Sequence, residues 1–506
     1  MSGISSAAVV VVGAGVDVVV SAATTKRKQA EGPEMNNGGD VMLHPGRGSW
    51  RGGSRLGAGS NSERPEVRTA YLIPTVLLTG ALLAAGCSSS EETVAPGVTT
   101  ATTTTGASTT TTASTTTVAP TTTAAPTTTA APTTTTAPTT TTSTTTTTST
   151  TTTTEAPPPD VPGTLLSSEP VDIGDLGVAW RVTYRSTSVA GEPIEVTGTI
   201  AAPAGNAPGP RPVLSVAHGT TGMADECAPS LSFPDESSIT VVAPFLERGW
   251  VVVATDYEGM GGPGIHPYVV GESEARGVFD IVRAAQSMPG VGADGPLVVW
   301  GHSQGGHAAM HVAERWQDLA PELDLVGVAA GAPPSQFALL SAFLQGSAYQ
   351  GYLVMAAASM AASYDELDLE AVMNPANLHL LDELEKGCTG HIFDVFNEIP
   401  YEDLLSVDDI FAIPAWNARL MENDTNQLPN QVPVVILHGD LDQQIPVLSS
   451  AALFAQLCAF ADHAPLERRV YEGEGHSSVV PAYLDDLTAW LEARVAGEPA
   501  TDQCGA

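Results

Sequence analysis

Beyond residue 178 the chain alternates short β-like runs with longer stretches of helical spacing. Val213–Ala217, Trp250–Thr255, Leu297–Trp300, Leu325–Ala330, Val432–Leu437 and Glu467–Tyr471 predict strands, most of them apolar enough to be buried on both faces. Ahead of them, Ala179–Val189 and Pro193–Ala202 alternate apolar and polar residues and predict a hairpin turning at Ala190-Gly191-Glu192. Pro244–Arg248, Glu272–Ser287, Gln304–Leu319, Val447–Ala461 and Pro481–Ala496 carry helical spacing. Strands alternating with helices imply an α/β domain over residues 160–506, a mostly parallel sheet flanked by helices. From Pro334 to about Gln431 the alternation stops, and Leu, Ala, Met and Phe recur at helical intervals. This insertion, 335–431, predicts a helical cap or lid.

The residues before 160 have a different texture. Ser88 to Pro159 is almost entirely Thr, Ser, Ala and Pro, without apolar periodicity, and cannot form a core. It reads as an extended, disordered stalk (88–159) of roughly 3 Å per residue, open to O-glycosylation. Upstream, Tyr71–Gly86 is uncharged and follows Arg64 and Arg68, the layout of an export signal spanning 67–87. Ala84-Ala85-Gly86-Cys87 resembles a bacterial lipobox, with Ala84 where leucine is usual. Cys87 is therefore expected to carry a lipid anchor, with ordinary signal cleavage and secretion as the alternative. Residues 1–66 then have no evident role. They are expected to be an upstream extension or leader, with Val67 as an initiator. Val9–Val12 and Gly13-Ala14-Gly15 lack the third glycine of a dinucleotide-binding turn.

Charge narrows the choice of partners. Eight basic and nine acidic residues precede Asp160, which leaves twelve basic against forty-seven acidic from Asp160 onward. Such a surface repels nucleic acid and anionic lipid. Cys227, Cys388, Cys458 and Cys504 are even in number and exported, so two disulfides are expected, in any of three pairings. No pair has zinc-ligand spacing, and no metal or organic cofactor is called for.

The chemistry centres on Gly301-His302-Ser303-Gln304-Gly305, which follows Leu297–Trp300 and leads into a helix. G-x-S-x-G between strand and helix is the nucleophile elbow, a turn tight enough to need its glycines. A serine needs an oriented base. His476 lies in the Gly-flanked loop after Glu467–Tyr471, and Asp442 in the loop after Val432–Leu437. Asp440 also lies there, either as the acid or as a stabiliser of the turn. The oxyanion donors are expected to be the backbone amides of Gln304 and of Thr220 in His218-Gly219-Thr220-Thr221-Gly222, with Thr221 possible and the Thr220 hydroxyl as a third donor. His302 and His307 read as packing residues, Asp256 as a turn or ion-pair residue, and Glu272 and Glu274 as partners of a helix dipole.

From Ala179 onward these residues resemble the secretory lipase family of the α/β-hydrolase fold, the fungal lipase A type and its actinobacterial relatives. The likeness rests on His218-Gly-Thr-Thr-Gly, Cys227-Ala-Pro-Ser, Thr255-Asp-Tyr-Glu-Gly259, Gly301-His-Ser-Gln-Gly-Gly-His307, Ala320-Pro-Glu-Leu-Asp-Leu-Val-Gly327, Asp442 with Ile445-Pro446, and Gly475-His476. The resemblance implies an exported acyl-ester hydrolase with a helical lid. It also implies Ser303, His476 and Asp442 as the triad, and the pairings Cys227–Cys388 and Cys458–Cys504. The expected protein is a monomer acting on neutral acyl esters or lipids, held at the membrane through Cys87. A polyester hydrolase, a surface acyltransferase and a catalytically silent binding module are the alternatives.

Overall fold

The computed structural model describes residues 160–425 and 427–505, and the backbone of two short strands further upstream. Those two, β1 (Val10–Gly13) and β2 (Val16–Val19), pair antiparallel. The export signal, Cys87 and the stalk lie outside the described residues.

Nine strands make the main sheet. They are β3 (Leu165–Val171), β4 (Val178–Thr187), β5 (Pro193–Ala202), β6 (Val213–Ala217), β7 (Val251–Thr255), β8 (Leu297–His302), β9 (Leu325–Gly331), β10 (Val434–Gly439) and β11 (Leu466–Tyr471). Their order is β11-β10-β9-β8-β6-β7-β5-β4-β3. Strands β6 to β11 run parallel, and β5, β4 and β3 continue the sheet antiparallel at one edge. The eleven α-helices among the described residues are α1 (Glu236–Glu247), α2 (Gly271–Ser287), α3 (Gln304–Leu319), α4 (Phe337–Leu344), α5 (Gly351–Ser363), α6 (Leu369–Val372), α7 (Thr389–Phe396), α8 (Tyr401–Leu404), α9 (Pro414–Glu422), α10 (Val447–Leu457) and α11 (Val479–Val495).

One face of the sheet buries its valines and leucines with Phe279, Ile281, Met310 and Leu453 of α2, α3 and α10. The other face packs Phe245 of α1 and Tyr483, Leu487 and Leu491 of α11. Both faces are thus dry, as a parallel sheet requires. Helices α4 to α9 interrupt the alternation between β9 and β10 and share a separate apolar core around Met355, Phe396 and Trp416.

Two elements depart from the sequence reading. Strand β3 was not predicted, because Leu-Leu-Ser-Ser-Glu-Pro-Val has little apolar alternation and contains Pro170. It survives as an edge strand, where proline is tolerated. Helix α1 begins eight residues before the predicted Pro244, despite the β-branched run Ile239–Val242 that disguises it. Asp235 caps it, its carboxylate accepting from the Ser237 and Ser238 amides.

Candidate active site

Because β6, β8, β10 and β11 are parallel, their C-terminal ends emerge on the same edge of the sheet, the usual place for a site in such folds. The loops that follow carry the residues of interest. After β8 the chain turns at Ser303, whose φ of 60° and ψ of −124° lie outside the regions that L-residues favour. The flanking glycines make this turn possible. A Cβ at Gly301 would lie 2.1 Å from the Gly305 carbonyl oxygen, and one at Gly305 would lie 1.9 Å from that of Ala217.

Ser303 Oγ lies 2.9 Å from His476 Nε2, and His476 Nδ1 lies 2.7 Å from Asp442 Oδ2. All three residues are buried. The second carboxylate oxygen of Asp442 accepts from the Gln444 and Ile445 amides, each at 2.8 Å. Burial pushes the Asp442 carboxyl upward. Hydrogen bonds from His438 and His476, the His476 charge and the Ile445 amide outweigh it and hold the group well below the usual carboxylate range. Asp440 does not reach His476. It is exposed and accepts from the Gly473 amide at 2.7 Å, tying the two loops together. The structure therefore separates the two aspartates that the sequence left open.

Gln304 opens α3, so its amide has no partner one turn back within the helix. The loop 218–222 lies against the elbow: a Cβ at Gly219 would sit 3.1 Å from the His302 carbonyl oxygen and 3.5 Å from Ser303 Cβ. The cap holds this loop through Thr389, whose amide donates to the Thr221 carbonyl at 2.9 Å, and through a β-bridge of Gly222 with Cys388, which is itself joined to Cys227 by a disulfide. The Thr220 hydroxyl is 3.0 Å from the Tyr268 hydroxyl, a contact in which either oxygen can be the donor. Cys458 and Cys504 form the second disulfide. His463 and Asp502 lie near Cys504, but its sulfur is consumed in that bond and offers no thiolate to a metal.

An apolar pocket opens from Ser303 into the cap. Tyr268, Val269, Leu344, Ala357, Trp416 and Ile445 are among its walls, and it holds about 950 Å³ of empty space, part of it open to solvent. The sequence pointed to the cap but not to this lining, since residues from five separate segments converge there.

Two readings of flanking residues change. Glu274 is fully buried, with one oxygen 2.6 Å from His307 Nδ1 and the other 3.0 Å from Gln304 Nε2. Its place in the first turn of α2 suggested only a dipole role. His307 is likewise a buried polar partner and not mere packing: burial lowers its pKa, but Glu274, the Asn423 carbonyl and Asp424 together raise it above the ordinary value. Asp256 accepts from Ser230 and Thr197 and shapes a turn, as expected. His302 packs its ring 4.8 Å from that of His476, and burial together with the His476 charge lowers its pKa to about 3.

A serine hydroxyl bonded to an imidazole, itself bonded to a carboxylate, suits acyl transfer. Comparison with known proteins places the chain among lipases at the level of family. The sequence model of the secretory lipase family matches residues 231–503. A protein named a probable inactive lipase, from Mycobacterium tuberculosis, is 28% identical over 370 residues, covering 68% of this chain and 80% of that protein. Lipase 10 of Candida albicans is 24% identical over 353 residues, covering 64% and 74%. Candida antarctica lipase A superposes with a TM-score of 0.60 at 20% identity, covering 68% of this chain and 85% of that one, which speaks to the fold. The chain is a member of the secretory lipase family, with an α/β-hydrolase fold.

Proposed function

We propose that this chain is an exported serine carboxylic ester hydrolase, lipase-like, acting on neutral acyl esters through an acyl-enzyme. The observation that carries the proposal is the unbroken chain from Ser303 Oγ to His476 (2.9 Å) to Asp442 (2.7 Å), beside a pocket of apolar walls. His476 Nε2 takes the Ser303 proton as Oγ attacks the ester carbonyl. The carbonyl oxygen, now negative, accepts from the Gln304 and Thr220 amides. Collapse expels the alcohol, which takes its proton from His476. A water activated by His476 then attacks the acyl-serine and releases the acid. The apolar pocket suits the hydrocarbon part of the substrate and offers nothing to a second charge. The two disulfides and the family fit an extracellular setting. The hydrogen bonds from Ser303 to His476 to Asp442 support activity here, whatever the name of the mycobacterial relative implies for that protein.

The test is hydrolysis of p-nitrophenyl esters from acetate to palmitate by the full chain and by Ser303→Ala. Turnover should vanish in a variant that still folds. Activity retained in Ser303→Ala would refute the assignment, and a folded but inactive parent would favour a binding module or an acyltransferase.

A further inference from the structure

Beneath the elbow lies a buried polar chain that packing alone does not require. The Gln304 side chain is almost fully buried, with Nε2 2.8 Å from His266 Nε2 and 3.0 Å from Glu274 Oε1. Its partners fix the protons. His266 Nδ1 faces the Glu258 carbonyl at 2.9 Å and carries the ring hydrogen, while burial lowers the imidazole pKa to about 4. His266 Nε2 is therefore a lone pair that accepts from Gln304. Flipping the Gln304 amide would turn its oxygen toward the Glu274 carboxylate, so the amide orientation is set as well.

Glu274 Oε2 accepts from His307 Nδ1 at 2.6 Å, and His307 Nε2 faces the Asn423 carbonyl at 2.7 Å. Glu274 on one side and the Asn423 carbonyl on the other raise the His307 pKa against the pull of burial, which favours an imidazolium paired with the Glu274 carboxylate. Such a pair is a poor source of stability, because its desolvation cost offsets its attraction. Its position is more telling. Asn423 caps the C-terminus of α9, where the cap rejoins the core. The next residue, Asp424, accepts from the Gln336 and Phe337 amides, where the cap begins. One hydrogen-bonded chain thus joins both stems of the cap to the residue beside Ser303.

We infer that Glu274 is a positioning residue: by gripping Gln304 and His307 on the first turn of α3, it fixes the Gln304 amide at the oxyanion position in register with the cap stem. The inference rests on the oxyanion role proposed above for that amide.

The test uses the full chain, with kcat and KM for p-nitrophenyl butyrate and active sites counted by fluorophosphonate labelling. Gln304→Ala keeps the backbone N–H and removes only its anchor. Glu274→Leu keeps roughly the volume but offers no acceptor to Gln304 Nε2 or to His307 Nδ1. Outright loss of an oxyanion donor costs about 10²–10³ in kcat, so a displaced one should cost roughly tenfold. Each variant should lose about tenfold in kcat per labelled site with KM within about twofold, and the double variant should be no worse than the poorer single. Unchanged kcat per site in Gln304→Ala, or losses that multiply in the double variant, would overturn the inference; Gln304→Ala decides alone should Glu274→Leu not fold. A parent without Ser303-dependent turnover would overturn the hydrolase reading, and this inference with it.

Discussion

Replacing Asp442 with asparagine is the sharpest probe of the site, because the structure fixes what each atom of the new side chain would meet. The Gln444 and Ile445 amides, each 2.8 Å from Oδ1, hold an acceptor in place, so the asparagine oxygen stays there. Its NH2 then takes the position of Oδ2, 2.7 Å from His476 Nδ1. A donor facing Nδ1 forces that nitrogen to present its lone pair, which moves the ring hydrogen to Nε2. Nε2 then points a hydrogen at Ser303 Oγ and cannot accept the serine proton. Holding a catalytic imidazole in the wrong tautomer costs about 10⁴ in kcat in the trypsin case, or roughly 5 kcal/mol of barrier. Fold should be spared, since the shape and both amide bonds survive and only the 3.3 Å contact of Oδ2 with His438 Nε2 is lost. Turnover of p-nitrophenyl butyrate and the rate of fluorophosphonate labelling should fall together, with little change in the thermal melt. Asp440→Asn, whose carboxylate only accepts from the Gly473 amide, is the matched control and should retain turnover within about twofold. An Asp442→Asn enzyme within tenfold of the parent, above all beside a crippled Asp440→Asn, would refute the reasoning.

Three further expectations follow from other parts of the site. Gly305→Ala would place a Cβ 1.9 Å from the Ala217 carbonyl oxygen, so α3 or β6 must shift. Denaturant unfolding should show a loss of about 3 kcal/mol with turnover falling too, and a variant of parental stability and rate would contradict the packing argument. His302, with its pKa lowered to about 3, has already lost its proton at every higher working pH, so it places no charge beside His476 there. His302→Asn should therefore leave the acid limb of the kcat/KM profile in place, and a displacement of about one pH unit would show that His302 titrates with the site. Ala357→Phe narrows the pocket wall on α5. At about 0.8 kcal/mol per buried methylene, excluding four of them should shift the octanoate to acetate ratio of kcat/KM by roughly 200-fold toward acetate, and an unchanged ratio would mean that the acyl chain lies elsewhere.

What could be read from the sequence were the features governed by local backbone geometry. Gly301 and Gly305 around Ser303 announce a turn that only glycine permits. His476 and Asp442 sit in loops directly after β-like runs, so a parallel sheet alone brings them to one edge. The interior strands were legible because both faces are buried. Strand β3 was not, since an edge strand with Pro170 needs no apolar pattern, and α1 was hidden by its β-branched run. Where two answers were equally local, only tertiary structure could choose. Asp440 and Asp442 are two residues apart, and it is the path of the Gly473–His476 loop that gives one a backbone amide and the other the imidazole. Glu274 meets Gln304 and His307 across about thirty residues of chain, and Asn423 closes the same network from more than a hundred residues away. Nothing in the spacing of those residues encodes the contact, because it exists only once α2, α3 and the end of the cap pack together. The pocket is of the same kind, made by side chains that share no periodicity and meet only in the folded protein.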